Sequence, residues 1–514
     1  MPQDRHLRHG LWACAAAALL SVFMPGTGHW AIRARIRPSV AIAAIVNLVA
    51  MCALVLVAAP IHDRADLAEL IADRAVFAGL GGALVVLAAT RLWTAVDSAW
   101  QARPTGGIAR RLTAGFATAM VVVGGVAPLA VAADYVWQTD QAIENVFSTT
   151  DATTAYPGSI SSGTTLASTR NATPAAHPDV PVHVTLPANP TTDTTPDPTN
   201  TTTTTAAAPP TLPPMVAENR VNVLLLGGDA GPGRWSLRTD SMIVVSIDPI
   251  TGDTAMISVP RNLTRLPFPP GTALAQRYPR GFDDLANAVY TRVNQQRDLA
   301  GGGDDAGSQA IKLGMAQLLG MPINYYVLVD MAGFVEVVDA LGGIDIDITR
   351  RVPSPGNPAN AKHRVPAYIE AGPQHLDGTL TLAYSRSRSA DNDYQRMARQ
   401  RCVLAAIATA ATPTAVASGL TDLVAAFGDA VRTDIPRDRL GEFAQLVDRF
   451  TSAGGLATVR TLHLVPPLIS SSRWDAVAVR QLVASVITPG APAAGGGAGG
   501  PPAVAPLEVL ANAC

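Results

Sequence analysis

Long apolar runs crowd the first 135 positions of the chain and then cease. Residues 40–59, 75–96 and 112–133 are each long enough to cross a hydrocarbon core, which takes about 20 helical residues. Arg91, inside the second run, is expected to snorkel to an interface. A fourth run, residues 11–24, is short and ends at Pro25, Gly26, Thr27 and Gly28, so it is expected to dip into or lie on the membrane without spanning it. With three spans, the basic positions Arg5, Arg8, Arg33, Arg35, Arg37, Arg103, Arg110 and Arg111 all fall on one side. The loop 62–74, acidic on balance, falls on the other. Positive charge marks the cytoplasmic side, so everything after Tyr135 and Trp137 is expected outside the cytoplasm. The residues around "PGTGHW" lack a small-residue cleavage pattern, and no cleavable signal peptide is expected.

After this N-terminal membrane region, taken as 1–138, the pattern changes twice. Residues 139–215 are dominated by Thr, Pro, Ala, Ser and Asn, a composition that cannot bury a core and reads as an extended, disordered stalk. Ser/Thr/Pro-rich stalks of this kind suit O-glycosylation outside a cell. Residues 216–487 then alternate short apolar runs with helical periodicity. Strands are expected at 221–227, 241–248, 254–260, 325–331, 344–349, 380–385 and 459–465. Helices are expected at 309–319, 331–341, 395–411 and 438–453. That alternation predicts an α/β or α+β layered domain around a central sheet, carried on a helical membrane anchor. Residues 488–514 form a flexible Gly/Pro/Ala-rich tail.

Composition narrows the chemistry. At 48% hydrophobic residues and mean hydropathy +0.22 the 514-residue chain is too apolar for an ordinary soluble protein. Its net charge of −2 gives no reason to expect nucleic acid as a partner. Lys312 and Lys362 are the only lysines, so arginine supplies nearly all positive charge, as in chains from GC-rich genomes. Cys14, Cys52, Cys402 and Cys514 are scattered without metal-ligand spacing, and neither a zinc site nor a disulfide framework is expected. No P-loop, zinc-protease helix or nucleophile elbow is present. His363, His375 and His463 have no partner spacing and receive no role.

Two carboxylates stand at expected strand ends: Asp229 after the first strand and Asp240 before the second. If those strands are antiparallel neighbours, the two acids share one end and could hold a hard cation such as Mg²⁺ together with phosphate oxygens. Aspartates in "GGDAGPG" also make ordinary turns, and spacing alone favours that reading. Arginines gather at the same kind of place. Arg238 precedes Asp240, Arg261 follows the third strand, and residues 385–401 hold five arginines and two aspartates. As a strand, "LTLAYSRSR" would put Arg386 and Arg388 on one face. On the next helix, Arg396 and Gln400 are four apart and share a face. Guanidinium forks suit phosphate oxygens. Ion pairs with Asp391 and Asp393 explain any single arginine better, but the set placed at element ends favours an anion site.

Together, "VNVLLLGGDAG", "RTDSMIVVSID", "ISVPRNL", "YYVLVDMAGFVEVVDALGGIDIDI" and "LDGTLTLAYSRSRSADNDYQRMARQ" resemble the LytR–CpsA–Psr family over residues 221–407. The resemblance extends less closely through "VRTDIPRDRL". It implies an α/β/α-like domain with a central mixed sheet and a long apolar pocket for a polyprenyl chain. It also implies an Mg²⁺-dependent phosphotransferase that moves a glycopolymer from a polyprenyl-pyrophosphate carrier onto peptidoglycan during cell-wall assembly, at the outer face of a multi-pass membrane protein. By position, Asp229 and Asp240 would bind Mg²⁺. Arg238, Arg386, Arg388, Arg396 and Gln400 would hold the pyrophosphate, with Asp393 orienting the arginines. Arg261, with Asp240, would act at the reacting phosphate. Taken with the resemblance, the Arg-, Ala- and Pro-rich composition points to an actinobacterial envelope and to arabinogalactan as the polymer. Two positions depart from the family pattern. Asn262 stands where an aspartate is usual, and Leu285 where a lysine is usual. These departures keep open a different class of function, a non-catalytic polyprenyl-phosphate-binding scaffold or regulator.

Overall fold

The computed structural model describes residues 13–32, 37–59, 61, 64–102, 107–147, 215–229, 237–303, 305–356, 364–387, 393–412, 431–488 and 508–510, with single positions at 415, 419, 422, 423 and 426. Arg388, expected at the site, lies outside the described residues.

The N-terminal part is helical: α1 (Ala13–Phe23), α2 (Pro38–Ala58), α3 (Arg64–Ala72), α4 (Arg74–Gln101) and α5 (Ile108–Val146). Of these, α2, α4 and α5 are long and apolar enough to cross a membrane. Pro38 opens α2, where its missing N–H costs no helical bond. Asp73 caps α4 by accepting from the amides of Ala75 and Val76 at 2.9 and 3.1 Å. The eleven residues of α1 rise only about 16 Å, roughly half a hydrocarbon core. That helix packs through Cys14, Ala17, Ala18 and Val22 onto Ala95 and Ala99 of α4 and Ala114 and Val122 of α5. Beside it His29, fully buried, meets Asp97 at 2.8 Å, and Arg37 donates to the same carboxylate at 3.1 Å. Helix α5 is 39 residues, about 58 Å, and runs past residue 138 to Val146, so its C-terminal third extends beyond any one bilayer core.

The C-terminal part is built on a seven-stranded mixed sheet. Its strands are β1 (Val221–Gly228), β2 (Thr239–Ile247), β3 (Thr254–Ser258), β4 (Tyr325–Val329), β7 (Val431–Thr433), β8 (Arg460–His463) and β9 (Glu508–Val509). A separate antiparallel pair, β5 (Ile344–Ile348) with β6 (Gly372–Leu376), stands apart from it. The spatial order is β9-β8-β3-β2-β1-β4-β7. The central β1 pairs antiparallel with β2 and parallel with β4, so the sheet is mixed, as the sequence predicts. Val221, Leu224, Val244 and Ile257 are all but inaccessible, the continuous burial of strands covered on both faces. Besides the short helices Ala273–Arg277 and Val289–Asn294, six longer ones lie among the described residues of this part: α6 (Ala306–Leu319), α7 (Met331–Ala340), α8 (Gly378–Arg386), α9 (Asp393–Ala410), α10 (Leu440–Ser452) and α11 (Ala476–Ile487).

Three expectations are corrected. Residues 508–509, expected in a flexible tail, form the edge strand β9, paired antiparallel with Arg460 and Thr461 of β8. Residues 380–385 are helical, not extended. Asp377 caps α8 by accepting from the Leu380 amide at 2.9 Å. Gly378 lets the helix lie on α7, since a β-carbon there would meet the Val335 carbonyl oxygen at 2.1 Å. The run is buried on nearly every side, and a short, uniformly buried run shows no decisive period. Cys402, in α9, is disulfide-bonded, which no cysteine spacing indicated. Cys14 and Cys52 are free thiols, the first buried and the second exposed.

The edge of the sheet near β8 carries a pH-sensitive group. Burial, helped by the charge of Arg401, pushes the His463 imidazole down to about 3. An unfolded histidine titrates near about 6.5, so between the two values the unfolded chain binds a proton that the native chain refuses. Stability is therefore expected to fall as pH drops through this window, by at most about 1.4 kcal/mol per pH unit. Urea midpoints at pH 7 and pH 5 should converge in His463→Asn; a variant that keeps the full pH dependence would remove His463 as its source.

Candidate active site

The site begins with the β1–β2 hairpin. The Asp229 amide donates to the Arg238 carbonyl at 2.9 Å, and antiparallel pairing brings Asp229 and Asp240 to one end of neighbouring strands. Gly227 is required by this close approach, because a β-carbon there would stand 2.9 Å from the Ser241 β-carbon. Arg261 arrives from the loop after β3. Asp393 and Arg396 arrive from the first turn of α9, and Arg386 from the last residue of α8.

These side chains form one charged network. Arg261 donates through Nη1 to Asp240 Oδ2 at 2.6 Å and through Nε to Asp393 Oδ1 at 3.2 Å. Arg396 donates to both Asp393 oxygens, at 3.1 and 3.2 Å, and its Nη1 lies 4.0 Å from Asp240 Oδ2. Asp393 thus lies between the two guanidiniums and bonds both. Asn287 donates through Nδ2 to Asp240 Oδ1 at 3.1 Å, and its backbone amide donates to the Arg261 carbonyl at 3.1 Å. The Arg396 side chain is 3% exposed, so its charge is held away from bulk water by these partners.

The electrostatics follow from the contacts. Burial pushes the Asp240 carboxyl up, but the hydrogen bond and charge of Arg261, the Asn287 amide and the Arg396 charge together hold it below the usual carboxylate range. Burial pulls Arg261 down, and its bonds to Asp240 and Asp393 more than reverse that. For Arg396 burial wins, and its guanidinium is lowered despite Asp393. Asp240 is therefore a firmly ionised acceptor and a poor proton acceptor.

Beside the network opens a cavity of about 310 Å³, within the size range of small-molecule sites. Asp229, Asp240, Arg386, Arg396 and Gln400 form its polar end. Its remaining wall is largely apolar, including Leu225 of β1, Val327 of β4, Phe334 of α7, Leu382 of α8, and Leu404 and Ile407 of α9, with Ser241, Asp330 and Ser385 as its other polar residues. The structure thus gathers Asp229, Asp240, Arg261, Arg386, Asp393, Arg396 and Gln400. Arg238 is brought near only through its backbone; it is exposed and is not part of the described cavity wall. The helical α8 also replaces the strand alternation that would have paired Arg386 with Arg388. The sequence reading did not place the apolar wall on named residues, since it draws on seven elements, β2 and β7 among them through Ile243 and Val431. The tie from Asn287 to Asp240 has no local signal beyond its short "ANAVY" context. Asn262 lies next to Arg261 with its Oδ1 buried and without a hydrogen-bond partner among the described residues.

Comparison with known proteins agrees with this picture. The LytR_cpsA_psr family model matches residues 188–464, more than half of the chain. The chain belongs to the LytR–CpsA–Psr family. A curated relative, the polyisoprenyl-teichoic acid–peptidoglycan teichoic acid transferase TagU of Bacillus mycoides (strain KBAB4), is 28% identical over 222 residues, 43% of this chain and 62% of the relative. The corresponding transferase TagV of Bacillus subtilis (strain 168) is 32% identical over 172 residues, 33% of this chain and 38% of the relative. The chain thus matches less than two thirds of the length of these relatives. Among solved structures, B. subtilis TagV superposes with a TM-score of 0.38 at 26% identity, covering 52% of this chain and 96% of that one.

Proposed function

We propose that this protein is an Mg²⁺-dependent phosphotransferase that moves a glycopolymer from a polyprenyl-pyrophosphate carrier onto a peptidoglycan hydroxyl. One observation carries the reading: an apolar cavity ends in two carboxylates, two arginines and a glutamine, the chemistry of a lipid diphosphate. The apolar wall takes the prenyl chain, and the guanidiniums of Arg386 and Arg396 with the Gln400 amide take the phosphate oxygens. Arabinogalactan is the polymer that the chain's composition favours.

In the reaction the acceptor oxygen forms a bond to the sugar-side phosphorus as the bridging P–O bond breaks, and polyprenyl phosphate leaves with that electron pair. Arg261, fixed between Asp240 and Asp393, neutralises charge that grows on the phosphoryl oxygens. Asp240, ionised and bonded on both oxygens, positions Arg261 and does not serve as the base, so the hydroxyl proton passes to a non-bridging oxygen of the donor. Asn262, without charge or basicity, does not take it either. The donor set fits Mg²⁺: Asp229 and Asp240 supply two hard oxygen ligands, and no cluster of three or more His, Cys, Asp or Glu exists among the described residues to complete a cage. Such a pair of carboxylates is the kind of set that would hold Mg²⁺ beside substrate phosphates. When bound, the ion would supply Lewis-acid stabilisation of the leaving phosphate.

We place the reaction outside the cytoplasm in a multi-pass membrane protein, supported by three apolar helices and by the basic residues that flank them on one side. The test uses the full chain in bilayers with a synthetic polyprenyl-pyrophosphate glycan and peptidoglycan fragments. Release of polyprenyl phosphate with polymer attached to the acceptor is expected, abolished by EDTA and restored by Mg²⁺. Tight donor binding without release at saturating Mg²⁺ would instead establish the non-catalytic carrier-binding reading.

A further inference from the structure

The Thr/Pro-rich composition of residues 139–215 reads as an extended stalk. The described residues at its two ends, up to Phe147 and from Met215, meet in one apolar cluster of the domain. Phe147, just past α5, packs against a cluster made by Met215, Val221, Val223, Tyr325, Ile435 and Leu446. The chain leaves that cluster at Phe147 and re-enters it at Met215, whose amide donates to Glu442 of α10 at 2.6 Å.

A second set of contacts joins the same surfaces. Arg437, in the turn before α10, donates through Nε and Nη2 to the Ile71 carbonyl of α3 at 3.1 and 2.9 Å. Its Nη2 also meets Asp140 of α5 at 2.7 Å, and its Nη1 lies 3.6 Å from Glu144, which Arg74 engages at 3.1 Å from the start of α4. The Arg437 side chain is 12% exposed. Gly441 faces Glu69 of α3, where a β-carbon would lie 3.5 Å from the Glu69 β-carbon. One guanidinium therefore bonds a C-terminal carbonyl of α3 and the Asp140 carboxylate of α5, and lies within ion-pair distance of Glu144 on the same α5. Its neighbours close the remaining gap.

We infer that the domain is clamped to the loop-side end of its own membrane anchor through Arg437, α3, α5 and α10. The clamp, and not the length of chain between Phe147 and Met215, then sets the distance between domain and membrane. The cavity is held at a fixed height above the lipid, which suits a site fed from the bilayer. The clamp rests on geometry alone and stands whether or not the transferase reading does.

A protease site introduced between residues 153 and 213 of the full chain in membranes tests this. After cleavage, the two fragments of the otherwise unaltered chain are expected to co-purify in mild detergent. In Glu69→Cys/Gly441→Cys, whose β-carbons match disulfide spacing, they should stay covalently linked without reductant, and each single variant should not link. Arg437→Glu should reduce linking by more than about fivefold, since like charges then face each other across the clamp. Adding Asp140→Arg should restore it, which a misfolded domain could not do. Fragments that separate on cleavage, or a double variant that stays unlinked while its domain resists proteolysis, would overturn the clamp.

Discussion

Asp240→Asn is expected to lower turnover of a lipid-linked pyrophosphate donor by about 10²–10³-fold, the scale seen when a pre-aligned charge-stabilising group is lost. The expectation combines two effects on one carboxylate. Asparagine can still accept from Asn287 through one oxygen, but it offers Arg261 no second anionic oxygen in place of Oδ2, now 2.6 Å from Nη1. Two buried guanidiniums, Arg261 and Arg396, would then share one carboxylate, Asp393, and Arg261 would lose its fixed aim. The variant also removes one of the two hard oxygen ligands proposed for Mg²⁺. The Asp240 side chain is 26% exposed, so the fold should tolerate the change with only a modest drop in melting temperature. Donor binding, driven by the apolar wall and the remaining arginines, should weaken far less than kcat falls. Measuring donor Kd and kcat separately distinguishes this from general damage, and unimpaired release of polyprenyl phosphate would remove Asp240 from the chemistry. The pH dependence carries the same sign. A carboxyl held below its ordinary range keeps the network intact above that range and loses it only as pH falls through the lowered folded-state value. Activity should therefore not decline on account of Asp240 between about pH 8 and pH 5.

The parts of this site that the sequence revealed are those with local causes. Apolar runs bounded by Gly, Asp and Pro marked β1, β2 and β3, and put Asp229 and Asp240 at one shared end on the condition, met in the structure, that β1 and β2 are antiparallel neighbours. The i,i+4 spacing placed Arg396 and Gln400 on one helical face, and both reach the cavity. Where several elements bury a segment on all sides, periodicity lost its meaning, and α8 was read as a strand. Contacts between residues far apart in the chain were not legible at all. Arg437 and Asp140 are 297 positions apart, and Asn287 and Asp240 are 47 apart. Each such pair depends on the sheet order, which no local pattern states. The resemblance to a family supplied identities for the charged end but left the apolar wall unnamed, because side chains that serve only by volume leave no motif.

That wall gives the second large effect, and it separates the lipid from the phosphate. Ile407 lies on α9 two turns beyond Gln400, partly exposed to the cavity and packed at the edge of the cluster around Val338, Ile344 and Val403. Ile407→Trp should fill the apolar end while leaving the arginines and carboxylates in place. A cavity of about 310 Å³ has little spare room for an indole, so the prenyl chain and not the diphosphate should be displaced. Each methylene kept out of an apolar site costs about 0.8 kcal/mol, and two such groups already exceed a tenfold loss. For a long-chain polyprenyl donor, KM is expected to rise by roughly tenfold or more, with kcat at saturation changed by less than about threefold. For a donor whose prenyl chain ends short of the blocked region, both constants should stay close to those of the unaltered chain. Equal losses with long and short donors would mean that the tryptophan had disturbed α9 and with it Arg396. A wild-type response to both would mean that the prenyl chain does not enter beside Ile407.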